Sequence, residues 1–304
     1  MDSIVFITGP TAVGKTAVSL SLAKRLRAEI ISCDSMQIYK GMDIGTQKPT
    51  PCQRRGIIHH MIDIAAPSIN FSAADFCKHA LKCLDAIEKK GRRALITGGT
   101  ALYIKSLVDG LFVSPPADYA LREELSKQEA LNGRGFLHKK LSAIDHETAD
   151  KLHPNDTRRV IRALEVCIKA HSPISELRKN TRGLKDKYDI KIFYLNRNRQ
   201  ALYDIINKRV DAMFRRGFVA ECRRLKKEEL SMTARQALGY VEVFDYLDNK
   251  ISLDRARELI KQRTRNYAKR QLSWFRNDKR FERVDIDGLS PAQAARILCK
   301  KLMK

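Results

Sequence analysis

Short apolar runs alternate with segments of helical periodicity over the first hundred residues. The runs at residues 4–7, 30–33 and 94–96 end at Gly-rich or polar turns, which is typical of buried strands. Between them, residues 17–26 and 73–89 place apolar side chains at the three- and four-residue spacing of an amphipathic helix. This alternation predicts a parallel sheet flanked by helices.

The strand pattern disappears in the middle of the chain. From about residue 115 to 181 no run typical of a strand occurs, and residues 121–170 are polar, charged and helix-prone. We therefore expect a helical insertion there. Beyond it the pattern predicts, in order, a strand at 190–195, helices at 200–215, 219–229 and 253–275, a short strand near 282–286 and a helix from residue 291.

The first predicted strand runs directly into the most specific motif of the chain. The pattern GxxxxGK[ST], in the order of strand, loop and helix that a phosphate loop needs, is matched by Gly9, Pro10, Thr11, Ala12, Val13, Gly14, Lys15 and Thr16. In such a loop the backbone N–H groups and the helix N-terminus surround a phosphate, the lysine adds a cation, and the last hydroxyl can ligate magnesium. The sequence thus predicts a site for a diphosphate or triphosphate.

These patterns together predict an α/β fold with a phosphate-loop (P-loop) type of parallel sheet core, flanked by helices, and a mainly helical insertion domain. We expect the first part of the core at residues 1–114 and the insertion at residues 115–185. Residues 186–304 would complete the core and supply basic C-terminal helices.

The acid that an NTPase uses to hold its metal is missing from its usual strand. The run at 94–96 is followed by Thr97, Gly98 and Gly99, whereas Asp34 directly follows the run at 30–33. Because parallel strands share one carboxyl edge, we expect Asp34 to face the phosphate loop. There it could contact magnesium through water or act as a general base; the alternative is an exposed aspartate that caps a helix.

The charge of the chain adds a partner to this picture. Its 304 residues include 58 Lys and Arg against 35 Asp and Glu, a net charge of +23, and the pI is about 9.9. The excess is concentrated in the C-terminal third. A polyanion is the natural partner of such a surface, and a generally basic, solvated helical surface is the alternative.

Cysteine usage and the first residues bear on the compartment. The seven cysteines form no CxxC pair and have no clustered histidines, so zinc and redox motifs are unsupported and free thiols in a reducing compartment are expected. The first residues lack the basic segment and long apolar run of a signal peptide or membrane span. We therefore expect a cytoplasmic protein without a membrane partner.

Eight further segments follow the phosphate loop in order. They are DSMQIY at 34–39, IGTQKP at 44–49, HHMID at 59–63, GGTALY at 98–103, NDTRRVIRALE at 155–165, QALGY at 236–240, RNYAKRQ at 265–271 and WFR at 274–276. A phosphate loop alone is shared by many enzymes, but this ordered set resembles the bacterial tRNA dimethylallyltransferases over nearly the whole chain. Gln47, where a small residue is expected, and Ser273, in place of a usual Thr, are small departures.

What this resemblance implies is a reaction. The donor would be dimethylallyl diphosphate, the acceptor the exocyclic N6 amine of the adenosine just 3′ of the anticodon in tRNA, and the cofactor Mg²⁺. The catalytic residues would be Asp34, Thr16 and Arg209: Asp34 accepts the amine proton, Thr16 ligates magnesium, and Arg209 adds a cation to the departing diphosphate. From the residues alone, Arg209 is open to another reading, as a solvated arginine or the partner of a nearby acid such as Asp204 or Asp211.

The resemblance also implies a tRNA path. It is lined by Asp34, Ser35, Met36, Gln37, Thr100, Arg122, Arg158, Arg159, Val160, Ile161, Arg162, Arg235, Gln236, Ala237, Leu238, Gly239 and Tyr240. A base stacked in the anticodon loop must be extruded to reach a buried donor, and single-stranded loops are where proteins recognise RNA sequence. One protein molecule suffices for one RNA, so we expect a monomer.

The block at residues 261–271 offers a further basic surface. Arg263, Tyr267 and Arg270 follow one another at spacings of four and three, which places them along one side of a helix that could follow phosphates. The alternative is a solvated helix whose Tyr267 and Trp274 pack in the core.

Two other functions fit parts of the sequence. One is a phosphate-loop kinase for a nucleoside or small metabolite, with Asp34 as base toward a hydroxyl; it leaves the late segments and the C-terminal charge unexplained. The other is an RNA-binding protein that uses a nucleotide as a switch, which predicts RNA binding coupled to ATP or GTP and no prenyl transfer.

Overall fold

The computed structural model of this chain describes residues 3–112 and 114–303. Its strands are β1 (Ser3–Thr8), β2 (Ala28–Ser32), β3 (His59–His60), β4 (Arg93–Thr97), β5 (Asp189–Asn196) and β6 (Phe281–Asp285). They form one sheet in the order β3-β2-β4-β1-β5-β6, and all neighbours are parallel. This confirms the predicted α/β class. No apolar run had marked the short edge strand β3.

Helices account for most of the remaining residues described. They are α1 (Lys15–Leu26), α2 (Pro51–Arg54), α3 (Ala73–Lys89), α4 (Ala101–Asp109), α5 (Tyr119–Asn132), α6 (Phe136–Ile144), α7 (His146–Asp150), α8 (Thr157–Ala170), α9 (Ile174–Lys179), α10 (Arg199–Arg215), α11 (Phe218–Leu225), α12 (Tyr240–Leu247), α13 (Leu253–Asn277) and α14 (Pro291–Leu302). Short 3-10 helices lie at Leu184–Asp186 and Ala234–Gln236. None of these helices is both long enough and apolar enough to cross a lipid bilayer.

The chain divides into two compact units. The core unit contains the sheet and comprises the residues up to Ser106 together with those from Lys187 onward. The helical unit is Leu107–Asp186 and contains no strand among its described residues.

β1 lies in the interior of the sheet, and its residues 4–7 are apolar and at most 5% exposed. On one side, a hydrophobic cluster joins this strand to Leu22 of α1 and Leu298 of α14. Burial on both faces favours a continuous apolar run over an alternating one, which explains why the run was visible in the sequence. The strand is therefore a rigid support for the loop that follows it.

The helical unit is organised around α8, whose one side packs in a core of its own. Val160, Leu164 and Cys167 lie on that side, at the spacing of an amphipathic helix. Glu165 is fully buried and accepts hydrogen bonds from Arg122 and from the backbone N–H of Asp118. A buried carboxylate needs such partners, and here they tie α5 to α8.

Candidate active site

The phosphate loop lies at the carboxyl end of β1, and two glycines shape it. Gly9 has φ of 142°, and a Cβ there would lie 2.7 Å from the carbonyl oxygen of Leu195. Gly14 has φ of 110° and is the N-cap of α1. Both positions need the left-handed freedom of glycine. The side chain of Lys15 curls over the loop and donates to the carbonyls of Gly9, at 2.9 Å, and Pro10, at 2.8 Å.

Asp34 lies just beyond β2, which β4 separates from β1, on the same carboxyl edge of the sheet as the phosphate loop. Its Oδ1 accepts hydrogen bonds from the backbone N–H of Met36, at 2.9 Å, and of Gln37, at 3.4 Å. The carboxylate thus caps a local turn and also lines a cavity shared with Lys15 and Thr16. Asp34 therefore faces the same cavity as the phosphate loop; it is half-buried and caps a turn, whereas the alternative was an exposed aspartate that caps a helix.

The turn after β4 comes very close to the end of β2. A Cβ at Gly98 would lie 1.9 Å from the carbonyl oxygen of Cys33, so only glycine fits there. Two residues on, the hydroxyl of Thr100 accepts a hydrogen bond from the N–H of Ser35 at 3.0 Å. This contact fixes the segment that begins at Asp34.

Arg209 reaches the site from α10. Its Nη1 lies 3.5 Å from the hydroxyl of Thr11 in the phosphate loop. It forms no ion pair with a carboxylate in the described part of the chain, whereas Asp211 pairs with Lys261 at 3.0 Å and Asp204 accepts from Gln200. The arginine therefore points to the loop and not to an acid on its own helix.

The electrostatics of the site follow from bringing two cations together in a partly buried place. Burial lowers the pKa of Lys15 to about 8, and the positive charge of Arg209 adds to this effect while Asp34 opposes it. Burial likewise lowers the pKa of Arg209 to about 10, again opposed by Asp34 and strengthened by Arg216. Burial and the charge of Asp34 raise the pKa of the Tyr267 hydroxyl. An anion placed here gains from both cations.

These groups line a cavity of about 490 Å³ in the core unit. Such a volume is typical of a small-molecule site. Besides the loop and Asp34, its walls include Gln37, Thr46, Gln47, Lys48, Gly99, Ile205, Arg209, Arg216, Tyr267 and Gln271. Tyr267 is half-buried and lines the cavity, whereas Trp274 packs edge-to-face on Phe275 and Phe281.

The donor set suits magnesium. Thr16 and Asp34 both line the cavity and offer a hydroxyl and a carboxylate oxygen, the hard ligands that this ion prefers. Residues 3–112 and 114–303 hold no cluster of three or more His, Cys, Asp or Glu side chains that could bind a metal by itself. Magnesium commonly takes one or two protein ligands plus substrate phosphates, so these residues fit an ion held together with a diphosphate.

The residues predicted to contact tRNA separate into two groups in the core unit. Asp34 and Gln37 line the cavity together with the phosphate loop, while Met36 donates to Asp34 and Ser35 donates to Thr100. The amide of Gln37 is oriented by its own contacts, since Nε2 donates to the carbonyl of Thr46 at 3.4 Å and Oε1 accepts from Ser32 at 3.2 Å.

The second group surrounds the 3-10 helix at Ala234–Gln236. Arg235 and Gln236 are exposed there and Leu238 is half-buried, but Ala237, Gly239 and Tyr240 are buried. The hydroxyl of Tyr240 donates to Glu221 at 2.8 Å. The tyrosine side chain therefore belongs to the core, because its one polar atom already has an internal partner.

In the helical unit the predicted tRNA residues alternate between surface and core. Arg158 and Arg159 are exposed, whereas Val160 and Ile161 are 1% and 9% exposed. Arg122 and Arg162 are engaged by the buried Glu165. The spacing of Val160, Leu164 and Cys167 along one side of α8 was the signal that could have identified the buried positions.

Sequence reasoning assigned no role to several residues that the structure brings to the site. Lys48 is 6% exposed and donates to Asp43 and Asp63, which fixes the loop that forms one wall of the cavity. Glu221 accepts from the N–H groups of Asp43, Ile44 and Gly45 at 2.7 to 3.0 Å. Gln271, four residues after Tyr267, shares its side of α13 and also lines the cavity.

The phosphate loop after β1, the acid after β2 at the same edge of the sheet, and two cations without ion-pair partners among the described residues define a phosphate-loop α/β protein whose site suits a phosphorylated ligand. The family model for IPP transferase matches residues 37–278. A tRNA dimethylallyltransferase from Finegoldia magna is 45% identical over 303 residues, 99% of this chain and 96% of that protein. One from Clostridioides difficile is 44% identical over 293 residues, 93% and 92% of the two chains.

Solved structures of such transferases are also similar to this chain. The tRNA isopentenylpyrophosphate transferase of Bacillus halodurans matches with a TM-score of 0.72 and 40% identity, over 100% of this chain and 97% of that one. A eukaryotic dimethylallyltransferase described as acting on tRNA matches with a TM-score of 0.80 and 26% identity, over 100% and 80%. The chain belongs to the IPP transferase family.

Proposed function

We propose that this protein transfers the dimethylallyl group from dimethylallyl diphosphate to the N6 amine of the adenosine 3′ of the anticodon in tRNA and releases diphosphate. The observation that carries this proposal is the content of one cavity: the phosphate loop, Asp34 and two cations without ion-pair partners among the described residues. The family of the chain supports the same reaction.

The reaction needs catalysis at the nucleophile, because an aromatic amine is a poor one, and at the leaving group, because negative charge grows on the diphosphate. The bond between N6 and the first allyl carbon forms as the bond from that carbon to the diphosphate oxygen breaks. Asp34 takes the amine proton, a step that commonly contributes about 10²- to 10⁴-fold. The loop N–H groups, Lys15 and Arg209 receive the charge that grows on the diphosphate, so they act mainly in the transition state.

Mg²⁺ is the cofactor that we propose for this site. Thr16 would hold it directly and Asp34 through water, and the bound ion would neutralise part of the diphosphate charge. The residues that grip the donor are those of the phosphate loop from Gly9 to Thr16. Their N–H groups are preorganised by the bend at Gly9 and by the start of α1.

The tRNA partner is an anticodon stem-loop whose target base is extruded into the cavity. Gln37, beside Asp34, is placed to meet the edge of the incoming base. In residues 115–185, which we propose to contact the tRNA, the exposed Arg158 and Arg159 are suited to phosphates, and in residues 186–304 the exposed Arg235 is. A single copy carries all these groups, so we propose that the protein is a monomer and that it acts on tRNA in the cytoplasm.

The test is a transfer assay with magnesium, radiolabelled dimethylallyl diphosphate and unmodified anticodon stem-loops that carry either adenosine or guanosine 3′ of the anticodon. We expect label in the RNA only with adenosine. No label, together with ATP consumption in the presence of a small acceptor, would instead establish a kinase. RNA binding that depends on ATP or GTP without any transfer would establish a nucleotide switch.

A further inference from the structure

Gln271 joins the phosphate loop to the turn after β4. It lies on α13, is 6% exposed, and comes from a segment 260 residues away from the loop. Its Oε1 accepts a hydrogen bond from the N–H of Thr11 at 2.8 Å, and its Nε2 donates to the carbonyl of Gly99 at 2.7 Å. One side-chain amide thus uses both its acceptor and its donor on backbone groups of two separate loops.

The packing around this amide is close. A Cβ at Gly99 would lie 2.5 Å from Nε2 of Gln271, 3.2 Å from the carbonyl oxygen of Gly9 and 3.4 Å from Nζ of Lys15. Glycine at position 99 is therefore what allows the amide, the loop backbone and the lysine to meet. A small change in the amide is transmitted directly to the loop.

Of the two loops that Gln271 connects, one binds the leaving diphosphate and the other supports the proposed base. Thr11 belongs to the loop that binds the diphosphate and also approaches Arg209. Gly99 precedes Thr100, whose hydroxyl accepts from the N–H of Ser35, next to Asp34. The amide consequently lies on a short covalent and hydrogen-bonded path between the diphosphate site and the proposed base.

We propose that Gln271 is a positioning residue that fixes the phosphate loop against the turn that supports Asp34, and so sets the geometry in which the donor diphosphate binds. This inference rests on the proposed function. Its chemical requirement is specific: one neutral group that accepts from an N–H and donates to a C=O at the same time. Glutamine meets it at any pH, whereas a carboxyl group meets it only when protonated.

The variant Q271E turns this requirement into a pH-dependent measurement. When ionised, the introduced carboxylate still accepts from Thr11 but faces the Gly99 carbonyl with an unfavourable oxygen and adds negative charge near the diphosphate. When protonated, it restores both hydrogen bonds. Burial and the Gly99 carbonyl raise the pKa of such a carboxyl, whereas the cations of Lys15 and Arg209 in the same cavity lower it, so the restoration is expected toward the acidic end of the pH range measured.

Calorimetric titration of the full-length protein with inorganic diphosphate and magnesium, at several values between about pH 5.5 and 8, measures the effect. The matched control is Q262E, which makes the same chemical change on the exposed Gln262 of the same helix. We expect Q271E to bind diphosphate about tenfold more weakly than Q262E at pH 8, and this ratio to approach one as the pH falls. Q271M, which has neither hydrogen bond, should be weakened at every pH.

The outcomes separate the two proposals. A constant ratio between Q271E and Q262E across the pH range, or a Q271M variant that binds as well as the wild type, overturns the role of Gln271. If both variants lose their fold, the wild-type donor KM and kcat are compared with those of Q271N, which keeps the amide but shortens its reach; an unchanged donor KM also overturns the role. Failure of the wild type to bind diphosphate would instead remove the proposed function.

Discussion

Two clusters of buried charge in this protein follow opposite rules. In the helical unit, Glu165 is fully buried and engages both Arg122 and Arg162. In the core unit, Lys15 and Arg209 face a cavity, and neither has an ion-pair partner within the described ranges, so burial lowers the pKa of both. The buried carboxylate of the first cluster has two cationic partners, whereas the two cations of the second share a cavity with Asp34 but form no ion pair with it.

The difference separates a structural cluster from a binding site. Breaking a buried ion pair leaves an uncompensated charge and destabilises the fold, so paired charges such as Glu165 belong to stability. Unpaired cations in a cavity cost free energy in the empty protein, and an anionic ligand recovers that free energy when it binds. This criterion divides the predicted arginines, because Arg209 belongs to the second kind and Arg122 to the first.

The largest effect is expected for the base. Asp34→Asn keeps an oxygen for the N–H of Met36 but cannot accept the amine proton, so the single-turnover rate of transfer should fall by about a hundredfold or more. Binding of the stem-loop, followed by fluorescence anisotropy, should remain nearly unchanged. Asp254→Asn, at an exposed position, serves as the control. A transfer rate equal to that of this control would remove Asp34 from the mechanism.

The comparison between the two clusters predicts a double dissociation. Arg209→Ala should lower kcat/KM for the donor by about a hundredfold, as for a lost transition-state donor, and leave the free energy of unfolding nearly unchanged. Arg122→Ala should leave the affinity for inorganic diphosphate unchanged and lower the free energy of unfolding of the helical unit by about 2 kcal/mol. Urea denaturation and calorimetric titration measure the two quantities. Equal effects of the two variants on either quantity would contradict the distinction.

The smallest effect concerns the pH dependence of donor binding. Because the pKa of Lys15 is lowered to about 8, its ammonium is charged below that pH and is lost as the pH rises through it. The affinity for diphosphate should therefore decrease by up to about tenfold between pH 7 and 9. Lys15→Arg, whose charge persists, should lack this step and corrects for titration of the ligand itself. A step of the same size in both proteins would assign the titration elsewhere.

How much of the site could be predicted depends on how far apart in the sequence the contacting residues are. The phosphate loop is eight consecutive residues whose conformation is largely local, and the position of Asp34 followed from the rule that parallel strands share a carboxyl edge. The contact between Thr11 and Gln271 depends on how α13 packs against the sheet. Neither periodicity nor composition encodes that packing.

Resemblance to a family assigns a function to whole segments and does not distinguish exposed from buried residues within them. The segment at residues 155–165 carries the exposed Arg158 together with the buried Val160 and Glu165. Helical periodicity distinguishes the apolar members of such a segment. Periodicity does not predict that Glu165 is buried, because only the tertiary fold brings arginines to this acid.

The connectivity of the sheet has a consequence for synthesis on the ribosome. β1, which carries the phosphate loop, pairs with β5 in a register that matches Ser3 with Asp189. The partner strand is therefore translated only after Leu107–Asp186 has been completed. Because domains tend to fold as contiguous units during translation, the helical unit can fold before β5 has been synthesised. Until then, β1 can pair with β4 but not yet with β5.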